Sequence, residues 1–316
     1  MAEKGKFRVG TRGSALAMRQ TRMIIDLLAG LHPDARFEIV EIVTHGDRFQ
    51  TTPIAEMGEH IDRGIFNTGL EEAVLGGEVD LATCSFKDVE SELPAGLIAV
   101  TAGKREDPRD VLVSRHRLPL ADLPAGATLA TSSPRRISQL AAFRQDFRFH
   151  PLRGNLTTRV GEAAEKFDGV IVAAAGMVRM GLQEKITEWI EPDRLLPAAA
   201  QAAMGCQYAA PREDVAALVE SLRDPATELC AQLEKRVLVT LSGGCFAPIG
   251  VLARLEGGAL TIRCRIVSLD GKRVVEERVA GGPEQGEQLV RQIAGRLTAR
   301  GGRALIAQTR AALSAG

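Results

Sequence analysis

Short apolar strands alternate with amphipathic helices through the first two thirds of the chain, and this alternation limits the fold to sheets with helices on their faces. Phe7–Thr11 reads as a strand, and a helix begins near Ser14 and runs through Leu16, Ile24, Leu27 and Leu28 to a stop at Gly30. Phe37–Thr44 reads as a second strand, Thr68–Leu75 as a helix ending at Gly76-Gly77, and Val79–Ser85 as a further strand. Strands separated by helices pair in a parallel or mixed sheet.

A second set of such units starts after Asp107-Pro108-Arg109-Asp110. Val111–Ser114 and Thr128–Thr131 are expected strands, and Pro134 suits a first helical position after Ser132-Ser133. Phe147–Pro151, a helix from Asn155 to Lys166 and the buried strand Gly169–Ala174 follow. Two comparable α/β sets in tandem predict two lobes with a cleft between them. The last part reads differently. Asp224-Pro225 opens a helix, and strands at Ile249–Leu255, Ala259–Leu269 and Arg273–Val279 are joined by the hairpin signals Gly257-Gly258 and Asp270-Gly271. Helices near Glu284–Ala299 and Arg303–Leu313 complete a small α+β third domain.

Composition narrows the function. Lys+Arg and Asp+Glu both number 40 in 316 residues, so the positive surplus of a nucleic-acid-coating protein is missing. Aromatic residues make up 4%, too few for a base-stacking platform. The longest apolar run, Val170–Ala175, falls far short of the ~20 residues that cross a bilayer. Five dispersed cysteines with no CxxC pair argue against a disulfide framework or zinc site, and the N-terminus shows no apolar leader. The expectation is a cytoplasmic protein without metal.

Glycine-rich nucleotide motifs, HExxH and GxSxG are absent, and the five histidines have no ligand spacing. What stands out is a set of cations at expected strand–helix junctions: Arg12, Lys87, Arg135, Arg136, Arg153, Arg159 and Arg179, each near Ser, Thr or Gly. In open α/β sheets the carboxyl ends of strands form the ligand crevice, and helix N-termini there favour anions. The pattern points to a cleft for a small polyanion. Asp88 is an acid among these bases, readable either as a partner for Lys87 or as a carboxylate aimed at a cationic intermediate. Cys245, in Gly243-Gly244-Cys245-Phe246-Ala247-Pro248, sits in a loop setting that favours an accessible thiol, whereas Cys84, Cys206, Cys230 and Cys264 read as buried and inert.

Taken in order, several segments resemble the porphobilinogen deaminase (hydroxymethylbilane synthase) family. They are Val9-Gly10-Thr11-Arg12-Gly13-Ser14 with Gln20, Ser85-Phe86-Lys87-Asp88-Val89 and Arg105-Glu106-Asp107-Pro108-Arg109-Asp110. Thr131-Ser132-Ser133-Pro134-Arg135-Arg136, Leu152-Arg153-Gly154-Asn155 with Thr158-Arg159, and the Gly243-Gly244-Cys245 loop complete the set. The resemblance implies an α/β fold: two periplasmic-binding-protein-like lobes with mixed sheets plus a small C-terminal α+β domain. Domain 1 would comprise 1–104 with 197–222, domain 2 105–196, and domain 3 223–316.

It also implies a reaction. Four porphobilinogen molecules are deaminated and joined head to tail into hydroxymethylbilane, on a dipyrromethane primer linked by a thioether to Cys245. Asp88 and Lys87 would be catalytic; Arg135, Arg136, Ser132, Ser133 and Arg159 would join them in holding the cofactor. Arg12, Ser14, Gln20, Arg153, Arg159, Arg179, Phe66 and Gln201 would contact substrate. The chemistry is apt, because each pyrrole carries an acetate and a propionate and Arg forks match carboxylates. A monomer passing its product to a uroporphyrinogen III synthase is the implied setting.

Departures lie in the Gly58–Glu71 lid region, at Cys84-Ser85-Phe86, and where the family's Val-Gly-Gln-Gly reads Ala199-Ala200-Gln201-Ala202. Two other readings fit the same residues: a divergent paralogue that binds pyrroles without elongating them, and a two-lobe anion-binding protein that needs neither Cys245 nor Asp88.

Overall fold

Ser14 shows how local sequence starts this fold: its Oγ accepts the Ala17 N–H and caps the helix that follows the first strand. The computed structural model describes residues 5–44, 67–90, 92–152, 154–244 and 247–315. The chain opens with β1 (Lys6–Thr11), α1 (Ala15–Leu31), β2 (Arg36–Glu41), α2 (Thr68–Leu75), β3 (Leu81–Ser85) and β4 (Leu97–Ala102). A second run holds β5 (Asp110–Val113), β6 (Thr128–Ala130), α3 (Pro134–Phe143), β7 (Arg148–His150), α4 (Leu156–Lys166), β8 (Gly169–Ala173), α5 (Ala174–Arg179) and β9 (Glu188–Ile190). Then come β10 (Met204–Ala209), α6 (Glu213–Glu220), α7 (Pro225–Thr240), β11 (Ile249–Glu256), β12 (Ala259–Val267), β13 (Val274–Gly281), α8 (Gly286–Ala299) and α9 (Gly302–Ala315).

Two five-stranded mixed sheets share one plan. The first runs β2-β1-β3-β10-β4 and the second β7-β6-β8-β5-β9. In each, three parallel strands are followed by one antiparallel strand and an edge strand. The antiparallel members are the crossing strands: β5 follows β4 into the second sheet, and β10 follows β9 back into the first. An antiparallel strand begins where its parallel neighbour ends. Asp110 at the start of β5 therefore pairs with Ala173 at the end of β8, and Met204 at the start of β10 with Ser85 at the end of β3. Both crossings thus deliver residues to the carboxyl ends of the parallel strands.

Packing follows the expected periodicities. α1 buries Gln20, Thr21, Ile24 and Leu28 on one stripe. Thr21 Oγ1 donates to Thr11 Oγ1 at 2.7 Å and lies 2.6 Å from Thr83 Oγ1, pinning the helix to β1 and β3. The third sheet is an antiparallel meander, β11-β12-β13, whose Val251, Ile262 and Ile266 pack with Leu233 and Val237 of α7 and Ile293 and Leu297 of α8. Gly257 and Gly258 turn its first hairpin with φ of +56° and +79°, the left-handed pair a two-residue turn requires. At Gly250 a Cβ would stand 2.6 Å from Leu196 O, so only glycine lets β11 approach the segment leading to β10 this closely.

The structure differs from expectation in several places. β2 stops at Glu41 rather than Thr44 because its partner β1 ends opposite it, at Thr11. Asp270-Gly271 is not a two-residue hairpin: β12 and β13 close at Val267–Val274, and Asp270 Oδ1 braces the longer turn by accepting from Ser268 Oγ and Lys272 N. The crossing strand β10, the edge strands β4 and β9 and the helices α5 and α6 escaped the sequence pattern. Among the described residues, no helix is long and apolar enough to cross a membrane.

Candidate active site

β3 delivers Lys87 and Asp88. The strand ends at Ser85 and tightens into a single 3₁₀ turn, Phe86–Asp88. Three bonds fix that turn's entrance: Gln20 exchanges hydrogen bonds with Ser85 Oγ at 3.2 Å in each direction, and the Phe86 N–H donates to Ala203 O at 2.9 Å. Lys87 and Asp88 themselves stand half-buried. Among the described residues, no hydrogen bond or ion pair engages the Asp88 carboxylate or the Lys87 ammonium, so the pairing of these two neighbours is not formed. Burial, joined by the charges of Arg136 and Arg135, holds Lys87 below its ordinary pKa against the pull of Asp88 and Asp110.

The cations beside Lys87 come from the other sheet. Pro134 starts α3 after Ser133, and this places Arg135 and Arg136 in the first helical turn. Both spend hydrogen bonds on Asp110, which is wholly buried. Arg135 Nη1 donates to Asp110 Oδ2 at 2.8 Å and to Leu196 O at 2.9 Å. Arg136 donates to Asp110 Oδ1 through Nε at 3.1 Å and Nη2 at 2.6 Å, and to Ile171 O through Nη1 at 2.9 Å. Burial alone would raise Asp110; the two guanidiniums reverse this and hold it far below the usual carboxylate range. Gln201 joins them, donating to Asp110 Oδ1 at 3.1 Å and Pro108 O at 2.7 Å, while its Oε1 is buried with no partner.

A second polar cluster ties the crossing strands together. Arg179, at the end of α5, donates to Glu106 Oε1 at 3.1 Å and Ala202 O at 2.6 Å, so it is engaged within the protein. Arg19 of α1 donates to Arg179 O at 3.3 Å across the two sheets. Arg105 binds Gln201 O at 2.8 Å and both oxygens of the wholly buried Glu234 at 2.7 and 3.0 Å. Between these anchors, Ala200 and Ala202 sit at φ +57° and +75°, left-handed conformations that L side chains resist.

The remaining expected residues distribute unevenly. Ser132 Oγ donates to Leu152 O at 2.9 Å and accepts Leu152 N at 2.8 Å, clasping the ends of β6 and β7. Arg159 donates from Nε to Gly154 O at 2.8 Å. Arg12 is half-buried in the turn after β1, and Ser14 is occupied as a helix cap. Phe66, Arg153 and Cys245 lie outside the described residues. The stretch before Cys245 is well held: Gly243 N donates to Leu238 O at 2.9 Å, and beyond the cysteine Ala247 N donates to Gly244 O at 3.0 Å. The four other cysteines are buried free thiols, and burial pushes the Cys206 thiol up to about 12.

Asp110, Glu106 and Glu234 were not singled out as site residues. Asp110 stood in a quoted motif, but only the antiparallel insertion of β5 brings it under α3. Glu234 has no local signature, because only the tertiary fold buries both of its oxygens against Arg105, Ala200 N and Ala253 N.

A family model described as porphobilinogen deaminase, dipyromethane cofactor binding domain, matches residues 7–217, and one described as porphobilinogen deaminase, C-terminal domain, matches 228–299. The chain is similar to the porphobilinogen deaminase of Syntrophus aciditrophicus, at 42% identity over 95% of this chain and 97% of that one. It is 40% identical to that of Syntrophomonas wolfei, over 96% and 98% of the two chains. For that of Roseiflexus castenholzii the figures are 41%, 95% and 98%. Among solved structures, the periplasmic VFT2 domain of Bordetella pertussis BvgS aligns over 70% of this chain and 88% of its own, at 16% identity and a TM-score of 0.42.

Proposed function

This chain belongs to the porphobilinogen deaminase family, and we propose how its residues divide the work of joining four porphobilinogen molecules head to tail into hydroxymethylbilane. That reaction makes it a transferase of tetrapyrrole biosynthesis acting with a dipyrromethane cofactor.

The residues present fit such a group. A dipyrromethane brings several carboxylates and two pyrrole N–H donors. Among the described residues, Lys87, Arg135 and Arg136 meet the charges of Asp88 and Asp110, three cations against two anions. Lys87 has no partner among the described residues, and Arg135 uses only Nη1. Among the described residues, the Asp88 carboxylate and the buried Gln201 Oε1 are acceptors that receive no hydrogen bond. The N-terminus of the ten-residue α3 adds a further preference for anions.

Cys245 would hold the dipyrromethane through a thioether, and the bound group would supply a nucleophilic pyrrole carbon. Lys87, Arg135 and Arg136 hold pyrrole carboxylates. Asp110 keeps the two guanidiniums rigid, so they need no reorganisation as charge moves. Asp88 stands where positive charge develops twice, as a substrate sheds ammonia and as the new carbon–carbon bond forms, and its fixed anion favours both transition states. The engaged Arg179 and Gln201 act by holding the junction between sheets; substrate reaches Arg179 only if Glu106 yields it. Arg12, Arg153, Arg159 and Phe66 complete the substrate cleft.

The division into 1–104 with 197–222, 105–196 and 223–316 is supported by sheet membership, since β10 returns to the first sheet. Four buried free thiols support a reducing, cytoplasmic setting, with the open-chain product passing to a uroporphyrinogen III synthase.

The observation that carries this reading is the Asp88 carboxylate, which among the described residues has no hydrogen-bond or ion-pair partner, beside an equally unengaged Lys87 and two Asp110-clamped arginines. The test is incubation of the purified protein with porphobilinogen, following loss of the Ehrlich-reactive monomer and release of ammonia. Elongation is expected. Binding of porphobilinogen without its consumption would favour the non-elongating paralogue instead.

A further inference from the structure

Lys235 is a buried cation that none of the chemistry above employs. It lies in the middle of α7, 6% exposed. Its Nζ donates to Lys87 O at 3.1 Å and to Val89 O. Those are the carbonyls immediately before and after Asp88. One ammonium therefore clamps the backbone on both sides of the residue at the centre of the site.

The surroundings make this arrangement rigid. α7 is buried on two faces. Leu233, Val237 and Leu241 pack on the third sheet, while Ala231 packs with Cys84, Phe86 and Val89 beneath the 3₁₀ turn. Glu228, two helical turns before Lys235 and so on the same face, accepts Thr101 N at 2.6 Å and Thr101 Oγ1 at 2.7 Å. Glu228 and Lys235 thus bolt the helix to the first sheet at two points. The turn itself needs such a donor, because the carbonyls at the end of a one-turn helix have no partners of their own. Asp88 and Lys235 both lie close enough to Cys84 for their opposite charges to act on its thiol. A buried lysine is costly to keep, and a methionine would fill the space without that cost.

The same helix runs on to the cysteine loop: it ends at Thr240, and Gly243-Gly244 lead directly to Cys245. We propose that Lys235 is a positioning residue for pyrrole coupling, holding the Asp88 turn at a fixed place against α7. This rests on the function proposed above. Without the clamp, the exit of the turn loses its donor while its entrance stays held, and Asp88 misplaced by about an ångström costs on the order of a hundredfold in rate.

The experiment compares the parent holoenzyme with Lys235→Met, Lys235→Arg and Val237→Ala. The last destabilises the same helix from its other face without touching the turn. Intact mass reports primer content, thermal unfolding reports stability, and steady-state and single-turnover elongation report kcat and KM for porphobilinogen. Lys235→Met is expected to keep its primer and its KM while kcat falls about ten- to a hundredfold. Lys235→Arg, which restores donors and charge, should recover most of that loss. Val237→Ala should lose stability without the fall in kcat. The proposal is overturned if Lys235→Met elongates like the parent, if its loss merely tracks stability as in Val237→Ala, or if Lys235→Arg is no better than Lys235→Met. A parent protein that carries no primer and consumes no porphobilinogen overturns the functional reading as well, a result none of the variants alone can produce.

Discussion

Asp110 receives two hydrogen bonds from Arg136, at 3.1 and 2.6 Å, on a carboxylate that is wholly buried. With Arg135 on its other oxygen, it turns two flexible side chains into a fixed pair of forks. The pair is built across the fold: Asp110 opens the crossing strand β5, and the arginines open α3.

Removing that charge should therefore damage stability and site together. Asp110→Asn strands two buried guanidiniums and is expected to cost about 3–5 kcal/mol, read from urea midpoints. The pH dependence has a definite sign. The folded-state pKa is depressed, so Asp110 contributes stability that is fully present above its unfolded pKa of about 3.9 and is lost as pH falls from there toward the lower folded value. The variant should show a flatter acid limb than the parent between about pH 4 and pH 2. An unchanged limb would mean that the arginines hold themselves.

At the junction between the sheets, the strain is stored in alanines. Ala200 and Ala202 occupy φ +57° and +75°, where an L residue pays about 1–2 kcal/mol. Glycine relieves this but adds about 0.5–1 kcal/mol of freedom to the unfolded chain. Ala200→Gly and Ala202→Gly should each lie between neutral and about 1 kcal/mol more stable. Ala231→Gly, in the interior of α7, should lose about 1 kcal/mol or more. Equal losses at all three positions would show that the junction is not strained.

Asp88 separates charge from shape. Because no hydrogen bond among the described residues holds its carboxylate, Asp88→Asn should leave the fold intact by circular dichroism. Its single-turnover elongation should fall by about 3 kcal/mol of transition-state stabilisation, on the order of a hundredfold. Asp88→Glu keeps the charge a methylene away and should retain partial activity. Near-normal elongation by Asp88→Asn would make the residue a bystander.

Much of this architecture was legible in the chain. Thr68–Leu75 is helical over the expected residues, Pro134 occupies the first turn of α3, and Asp224 caps α7 through the Thr227 N–H. These features rest on local signals: capping, glycine stops and apolar periodicity. β10, Met204–Ala209, was not legible, because a strand buried on both faces has no alternation to read and Gly205 breaks its apolar run. The partners of the cations were hidden for a related reason. Nothing local says that β5 inserts antiparallel beside β8, and only that insertion converts Arg135 and Arg136 from open carboxylate receptors into a clamped pair. Lys235 carries no local signal of its role, because only the packing of α7 on both faces buries it.

The central claim is that this chain elongates pyrroles on a primer it carries itself at Cys245. Intact mass spectrometry, on protein made in cells able to synthesise porphobilinogen, tests it most directly. The account predicts a mass raised by two linked pyrrole units, with the adduct mapped to Cys245 and absent from Cys245→Ser. An unmodified mass, or an adduct mapped to Cys84, would contradict it.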